Sequence, residues 1–124
     1  MSHQVTTKAW GCEILIANRE FCGKVMHLHK GWRCSLHFHP VKDESFLVTR
    51  GRILVEVGEP GMAHPDAVDR SRMQVRELGP GESVDVPPMT LHRFTGLEDA
   101  EFVEFSTHDD PADSIRVEVS GRAP

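Results

Sequence analysis

Apolar and polar residues alternate along this chain in short runs with a period of two, and glycines at Gly23, Gly31, Gly51, Gly81 and Gly96 separate the runs. That pattern predicts short strands joined by tight turns, an all-β barrel or sandwich. No segment sustains a helical period, and no internal repeat is present. The stretch from Gly58 to about Arg72 is rich in proline, glycine and charge and reads as an extended loop. Within it, Met62-Ala63-His64-Pro65 reads as surface insertion ahead of lining for a site mouth. Residues 9–119 are expected to form one domain, with 1–8 and 120–124 as flexible termini.

In Ser35-Leu36-His37-Phe38-His39 the alternation sends His37 and His39 to one face and Leu36 and Phe38 to the other. Pro40 cannot continue a ladder and opens a turn through Val41, Lys42 and Asp43. The chain then returns as a strand from Glu44 to Arg50, the simplest way to bring Glu44 back to the two imidazoles. Gly51 ends that strand and Arg52 to Val57 forms the next. Further on, Gly81-Glu82 is a turn, Ser83 to Val86 a strand, and Pro87-Pro88 a rigid corner ahead of His92. Three imidazoles and one carboxylate suit a single divalent transition metal with coordination positions left open, whether Mn, Fe, Co, Ni or Zn. Each of these residues alone is ordinary; their joint occurrence with the glycines and the proline carries the reading.

Two strands leave open which side looks inward. Lys24-Val25-Met26-His27-Leu28-His29 turns either Lys24, Met26 and Leu28 or His27 and His29 toward the interior, and the apolar pair favours the first. Lys24 is then an inward cation near the metal, or a strand-end lysine reaching back to water. Glu101 to Ser106 is equally open by alternation. Lys42, in the turn between ligands, is expected at the cavity rim or on the surface.

The runs Gly31, His37, His39, Glu44, Gly51 and Gly81, Pro87, His92 resemble the paired signature motifs of the cupin superfamily. Met89 stands where a glycine is common, and Thr95-Gly96 where an asparagine often follows the histidine. The resemblance implies a single-domain double-stranded β-helix of jelly-roll type, usually a homodimer, with metal bound by His37, His39, Glu44 and His92. A finer resemblance covers most of the chain. Trp10-Gly11-Cys12-Glu13, Phe21-Cys22-Gly23-Lys24, Lys42 within the ligand run, Glu104 to His108 and Asp113 to Arg116 are similar to sugar-isomerase-like cupins of the D-lyxose ketol-isomerase and mannose-6-phosphate isomerase type. It implies that Glu104 and Ser106 face inward and that the partner is a small-molecule sugar.

Composition narrows the partners. A formal net charge of −5 argues against nucleic acid or an anionic membrane. With no tyrosine, the core must rest on Val, Leu, Ile, Phe and Met. Cys12, Cys22 and Cys34 are odd in number and lack a Cys-x-x-Cys pairing, so they read as reduced thiols. With no signal peptide or transmembrane stretch evident, the expected location is cytoplasmic.

Three functions fit. The first is a metal-dependent aldose–ketose isomerase acting on a small sugar or sugar phosphate through an enediol. Glu104 is its candidate catalytic base, and Lys24 the catalytic group that stabilises developing negative charge. The lack of a Gly-rich phosphate cradle tilts it toward an unphosphorylated sugar. The second is an iron-dependent dioxygenase using the same ligands. The third is a non-catalytic, metal-assisted sugar-binding or sensing module.

Overall fold

The computed structural model describes residues 2–66 and 70–124. Its strands are β1 (Gln4–Lys8), β2 (Gly11–Asn18), β3 (Phe21–Leu28), β4 (Trp32–Arg33), β5 (Leu36–Phe38), β6 (Glu44–Arg50), β7 (Ile53–Val57), β8 (Gln74–Leu78), β9 (Ser83–Val86), β10 (His92–Gly96), β11 (Ala100–Thr107), β12 (Ile115–Glu118) and β13 (Gly121–Arg122). Two single-turn 3-10 segments, Arg70–Arg72 and Pro111–Asp113, complete the regular structure among the described residues. None of the described helices is long and apolar enough to cross a membrane.

Six strands form one sheet in the order β1-β2-β3-β11-β6-β9. The second runs β12-β5-β10-β4-β13, with β7 on β10 and β8 beyond it. The strand pairs are antiparallel, which lets each strand bury one face and leave the other to a different environment. This is the jelly-roll arrangement that the resemblance implied. The chain ends, expected to be loose, join the sheets: β1 pairs along β2 from Gln4↔Leu15 to Lys8↔Gly11, and Gly121 pairs with Arg33.

Between the sheets lies the main core, with Met26 and Leu28 from β3, Phe46 and Val48 from β6, Phe94 from β10 and Phe102 from β11. Phe46, Phe94 and Phe102 meet edge to face, with ring centroids 4.6 to 6.0 Å apart. A second cluster seals the outer face of the second sheet. There Leu36 and Phe38, turned away from His37, pack with Leu91 under Ala63, Met73 and Met89. Ala63 and Met73, from either end of the stretch after β7, therefore help cover that face. Met62, Ala63 and His64 of that stretch line a separate hollow of about 350 Å³, away from the main cavity.

Two turns require their glycines. Gly51 sits at φ +76°, and a side chain there would strike the Asp99 backbone carbonyl; Gly31 sits at φ +81°. Met89 adopts φ 59°, the left-handed region, which explains why glycine suits that position.

Candidate metal centre and cavity

Antiparallel register sets His92 of β10 opposite His37 of β5. Residues facing each other across such a pair share one side of the sheet, so both imidazoles point inward. His39, just past the end of β5, completes the group. Nitrogens of His37, His39 and His92 lie within 4.8 Å of one another. In each ring the Nδ1 atom faces a backbone carbonyl: Ser35 at 2.9 Å, Asp113 at 3.1 Å and Thr90 at 2.9 Å for His37, His39 and His92. A carbonyl only accepts, so each Nδ1–H donates and each Nε2 keeps its lone pair. Those second-layer bonds fix ring orientation as metal sites require.

Glu44 opens β6 on the opposite sheet. Its Oε1 lies 3.6 Å from His39 Nε2 and its Oε2 3.3 Å from His92 Nε2. Oε2 is buried and has no hydrogen-bond partner. A buried carboxylate oxygen left unsatisfied beside imidazole nitrogens bearing lone pairs is costly, and a divalent cation there satisfies all of them. The donor set fits the metal the sequence implied.

Burial and then the neighbouring His92 hold His37 down to about 3; burial and then His37 hold His39 to about 4; burial holds His92 to about 3. All three rings are therefore neutral and ready to ligate at ordinary pH. Burial and then the Glu104 carboxylate push Glu44 up to about 8 against the pull of Lys42.

Lys42 corrects the sequence reading. It was expected at the rim or surface, yet it is only 3% exposed. Its Nζ donates to Asp109 Oδ1 at 2.7 Å and lies 2.9 Å from Glu104 Oε2 and 3.0 Å from Glu44 Oε1. Lys42 lies two residues before Glu44 and faces the same way, held there by the loop after β11. The Asp113 carboxylate accepts from the Val41 and Lys42 backbone N–H groups, which pulls the turn in. Burial works against the Lys42 charge, but Glu104 and Glu44 outweigh it and raise its pKa far above the ordinary lysine range.

Lys24 and Glu104 are cross-strand partners, both buried and both facing the cavity. The Lys24 ammonium meets Asp109 Oδ2 at 3.1 Å and Glu13 Oε2 at 3.5 Å. Met26 and Leu28 face inward with Lys24, while His27 pairs with Glu101 outside at 3.4 Å. Glu104 Oε2 accepts from both Lys42 and the Ser106 hydroxyl, the latter at 2.9 Å. Burial alone would raise Asp109, but hydrogen bonds from the two lysines hold it at about 2.

Sequence reasoning missed Asp109, Glu13 and Arg116. Asp109 is placed by reciprocal bonds with Asn18, 2.9 Å each way between side chain and backbone. Nothing local in the sequence signals a contact 91 residues away in the chain. Arg116 stands opposite His37 in the β12–β5 register and lines the cavity; alternation from His37 would have found it only with that pairing known. Together these groups wall a cavity of about 540 Å³, large enough for a small molecule. The histidine cluster lines it, and so do Gln4, Thr6 and Lys8 of β1.

A double antiparallel sheet enclosing inward histidines defines the class: a small β-barrel with a candidate metal-ligand cluster on the wall of its cavity. Residues 24–106 match the cupin domain, and the chain belongs to the cupin family. Over 116 residues it is 30% identical to a D-lyxose/D-mannose isomerase of Thermosediminibacter oceani, covering 82% of this chain and 64% of that protein. It therefore spans under two thirds of the length of that relative. Among solved structures, the capsular polysaccharide assembling protein CapF of Staphylococcus aureus superposes with a TM-score of 0.77 at 18% identity, covering 96% of this chain and 32% of CapF. KdgF from a Halomonas species gives 0.71 at 18% identity, covering 89% of this chain and 90% of KdgF. Oxalate decarboxylase of Bacillus subtilis gives 0.76 at 15% identity, covering 93% of this chain and 30% of the decarboxylase. At these identities the structures share a fold with the chain, and no more is drawn from them.

Proposed function

We propose that the protein is a metal-dependent aldose–ketose isomerase acting on a small sugar or sugar phosphate through an enediol. The observation that carries this reading is the Lys42 ammonium, which joins Glu44 of the metal-ligand cluster to Glu104, a buried carboxylate on the cavity wall. Proton transfer between adjacent carbons needs such a carboxylate beside an electrophilic centre. The similarity to a D-lyxose/D-mannose isomerase supports the same class of substrate.

His37, His39, His92 and Glu44 would hold the metal, which supplies Lewis acidity at the sugar carbonyl. Glu104 takes the proton from the carbon next to the carbonyl and returns it to the neighbouring carbon. Its Oε2 is tied by Lys42 and Ser106, so Oε1 is the oxygen available to carry that proton. Lys42 and Lys24 place positive charge along the wall where the enediol gains negative charge. Both lysines face carboxylates within the cavity, leaving neither free for a phosphate group. Asp109 holds the two ammonium groups in place. A homodimer is part of the same proposal.

The test is NMR of aldoses and ketoses in deuterated water with protein reconstituted in turn with Mn, Fe, Co, Ni and Zn. Interconversion with deuterium at the carbon next to the carbonyl supports the proposal. Glu104→Gln should lower turnover at least a hundredfold, within the span typical of general base catalysis, about 10²–10⁴. Turnover within a few-fold of wild type in that variant overturns the assignment of the base.

A further inference from the structure

Two of the cavity's four cations are committed and two are not. Lys24 and Lys42 meet four carboxylates, Glu13, Glu44, Glu104 and Asp109. That network holds two more negative charges than positive, and a divalent cation on the histidines would balance it. Lys8 and Arg116 stand outside it. They lie on β1 and β12, the strands that begin the two sheet orders, and both line the cavity and are exposed. Among the described residues neither forms an ion pair.

A local irregularity leaves Arg116 free. On a regular strand Glu118 would project from the same face and be its natural partner. The β12–β5 register shifts between Arg116 and Glu118, and a bulge of this kind re-aims the side chains around it. Glu118 lies opposite Leu36 and turns to the outer face, where it accepts from Arg93 at 2.9 Å and pairs with Arg70. Arg116 keeps its place opposite His37, facing the cavity. Neighbouring strands lie about 4.8 Å apart, so Arg116 stands within the length of a small sugar from the imidazole cluster. Outside the network the lining has one carboxylate, Asp110, and its Oδ1 already accepts from the Ala112 N–H at 3.0 Å. Set against Lys8 and Arg116, it leaves one positive charge uncompensated.

We propose, resting on the isomerase reading for the sugar itself, that Arg116 recognises a carboxylate on the substrate with Lys8 as a weaker contributor, so that the substrate is a sugar acid. A carboxylate fits this wall better than a phosphate. The planar guanidinium fork matches the two oxygens of a carboxylate, and a single leftover positive charge matches a single negative one. A phosphate ester brings close to two negative charges and three acceptor oxygens, and it favours sites where backbone N–H groups converge, as at a helix N-terminus. The described residues contain no α-helix, only two single-turn 3-10 segments.

D-Mannuronate, D-mannose and D-mannose 6-phosphate differ only in the group far from the carbonyl carbon, and titration calorimetry of all three on manganese-loaded protein is the test. Wild type should bind mannuronate about tenfold or more tighter than mannose, and that advantage should shrink from low to high salt. Arg116→Gln should weaken mannuronate about tenfold more than it weakens mannose, Arg116→Lys should restore part of the loss, and Lys8→Gln should have the smaller effect. Arg116 is exposed, so its replacement leaves the core intact, and the salt dependence needs no variant at all. Equal affinity for mannuronate and mannose, tighter binding of mannose 6-phosphate than of mannuronate, or a mannuronate preference that survives Arg116→Gln overturns the proposal. Arg116-dependent binding of mannuronate with no deuterium exchange into it would sink the isomerase reading and leave the carboxylate site standing. Exchange into mannose with no preference for mannuronate would do the reverse.

Discussion

Replacing Lys42 with methionine should destabilise the metal-free protein by about 3–5 kcal/mol, the cost of removing one partner from a buried ionic group. The reason is geometric. One ammonium, only 3% exposed, serves Glu44, Glu104 and Asp109 at 3.0, 2.9 and 2.7 Å. Methionine conserves much of the volume, so the loss reports charge and hydrogen bonding more than packing. Without the cation, Glu104 and Asp109 must take up protons or recruit water, and Glu44, already pushed up by burial, loses the pull that opposes that shift; each outcome costs free energy. At about 4 °C per kcal/mol for a domain of this size, the melting temperature should fall by roughly 12–20 °C. Urea denaturation with matched m-values is the assay, because an altered m would signal a changed folded or unfolded ensemble. The double variant Lys42→Met/Glu104→Gln should be less destabilised than the sum of the two single variants, since each removes a partner the other needs. A Lys42→Met loss below about 1 kcal/mol, the level of an exposed pair, or strict additivity in the double variant, would refute the reasoning.

Adding a ligating divalent metal to chelator-treated protein at about a hundredfold above its Kd should stabilise it by about 2.7 kcal/mol, read as a thermal shift of roughly 10 °C; His92→Ala should abolish the shift, and an unchanged shift would remove His92 from the ligand set. In metal-free protein, stability should fall as pH drops from about 6.5 toward 4, because the unfolded imidazoles take up protons there while folded His37, His39 and His92 stay neutral to about 3, 4 and 3. Glu44, held up at about 8, has the opposite sign: its contribution is present below its unfolded pKa and lost as pH rises through 8, so denaturation midpoints should peak near neutrality, and a flat profile would contradict both. Burial pushes the Cys34 thiol up to about 11, and burial followed by the Glu104 carboxylate raises Cys22, so both should resist thiol reagents at pH 7.5 until the chain unfolds; prompt modification of either would show that its site opens readily.

Strand alternation made much of the ligand cluster legible. His37 and Leu36 differ by one position, and the two faces of β5 differ accordingly: one meets His92, the other the second apolar cluster. On β3 alternation left two faces open, and the apolar Met26 and Leu28 decided for the one that also turns Lys24 inside. Alternation failed at Lys42 because Pro40 suggested a turn leaving the sheet. The turn is instead drawn in by Asp113, a residue about 70 positions downstream, and local pattern cannot see such a partner. Asp109 was invisible for the same reason, since reciprocal bonds to Asn18, far away along the chain on β2, set its position. Met89 shows the reverse case. Its departure from glycine was visible in the sequence, and its meaning, a left-handed backbone whose N–H donates to the His39 carbonyl at 2.8 Å, became apparent only in three dimensions.

The distribution of these residues along the chain separates chemistry from selectivity. His37, His39, Glu44, His92, Lys24, Lys42 and Glu104 all lie within residues 24–106, the segment that matches the cupin domain. Ser35 and the apolar lining from Met26 to Phe102 lie within it too, while further polar groups of the cavity wall lie beyond it: Gln4, Thr6 and Lys8 on β1, Glu13 and Asn18 on β2, Asp109 in the loop after β11, and Arg116 on β12. Shared segments preserve a metal-ligand arrangement, while flanking strands decide which molecule reaches it. A 30% identical relative can therefore share the ligand cluster and still accept a different substrate. On that argument the flanks are where selectivity should be altered first. Exchanging β1 should change which small molecule binds while leaving metal uptake by the central histidines intact, because none of the four candidate ligands contacts β1 across a strand pair.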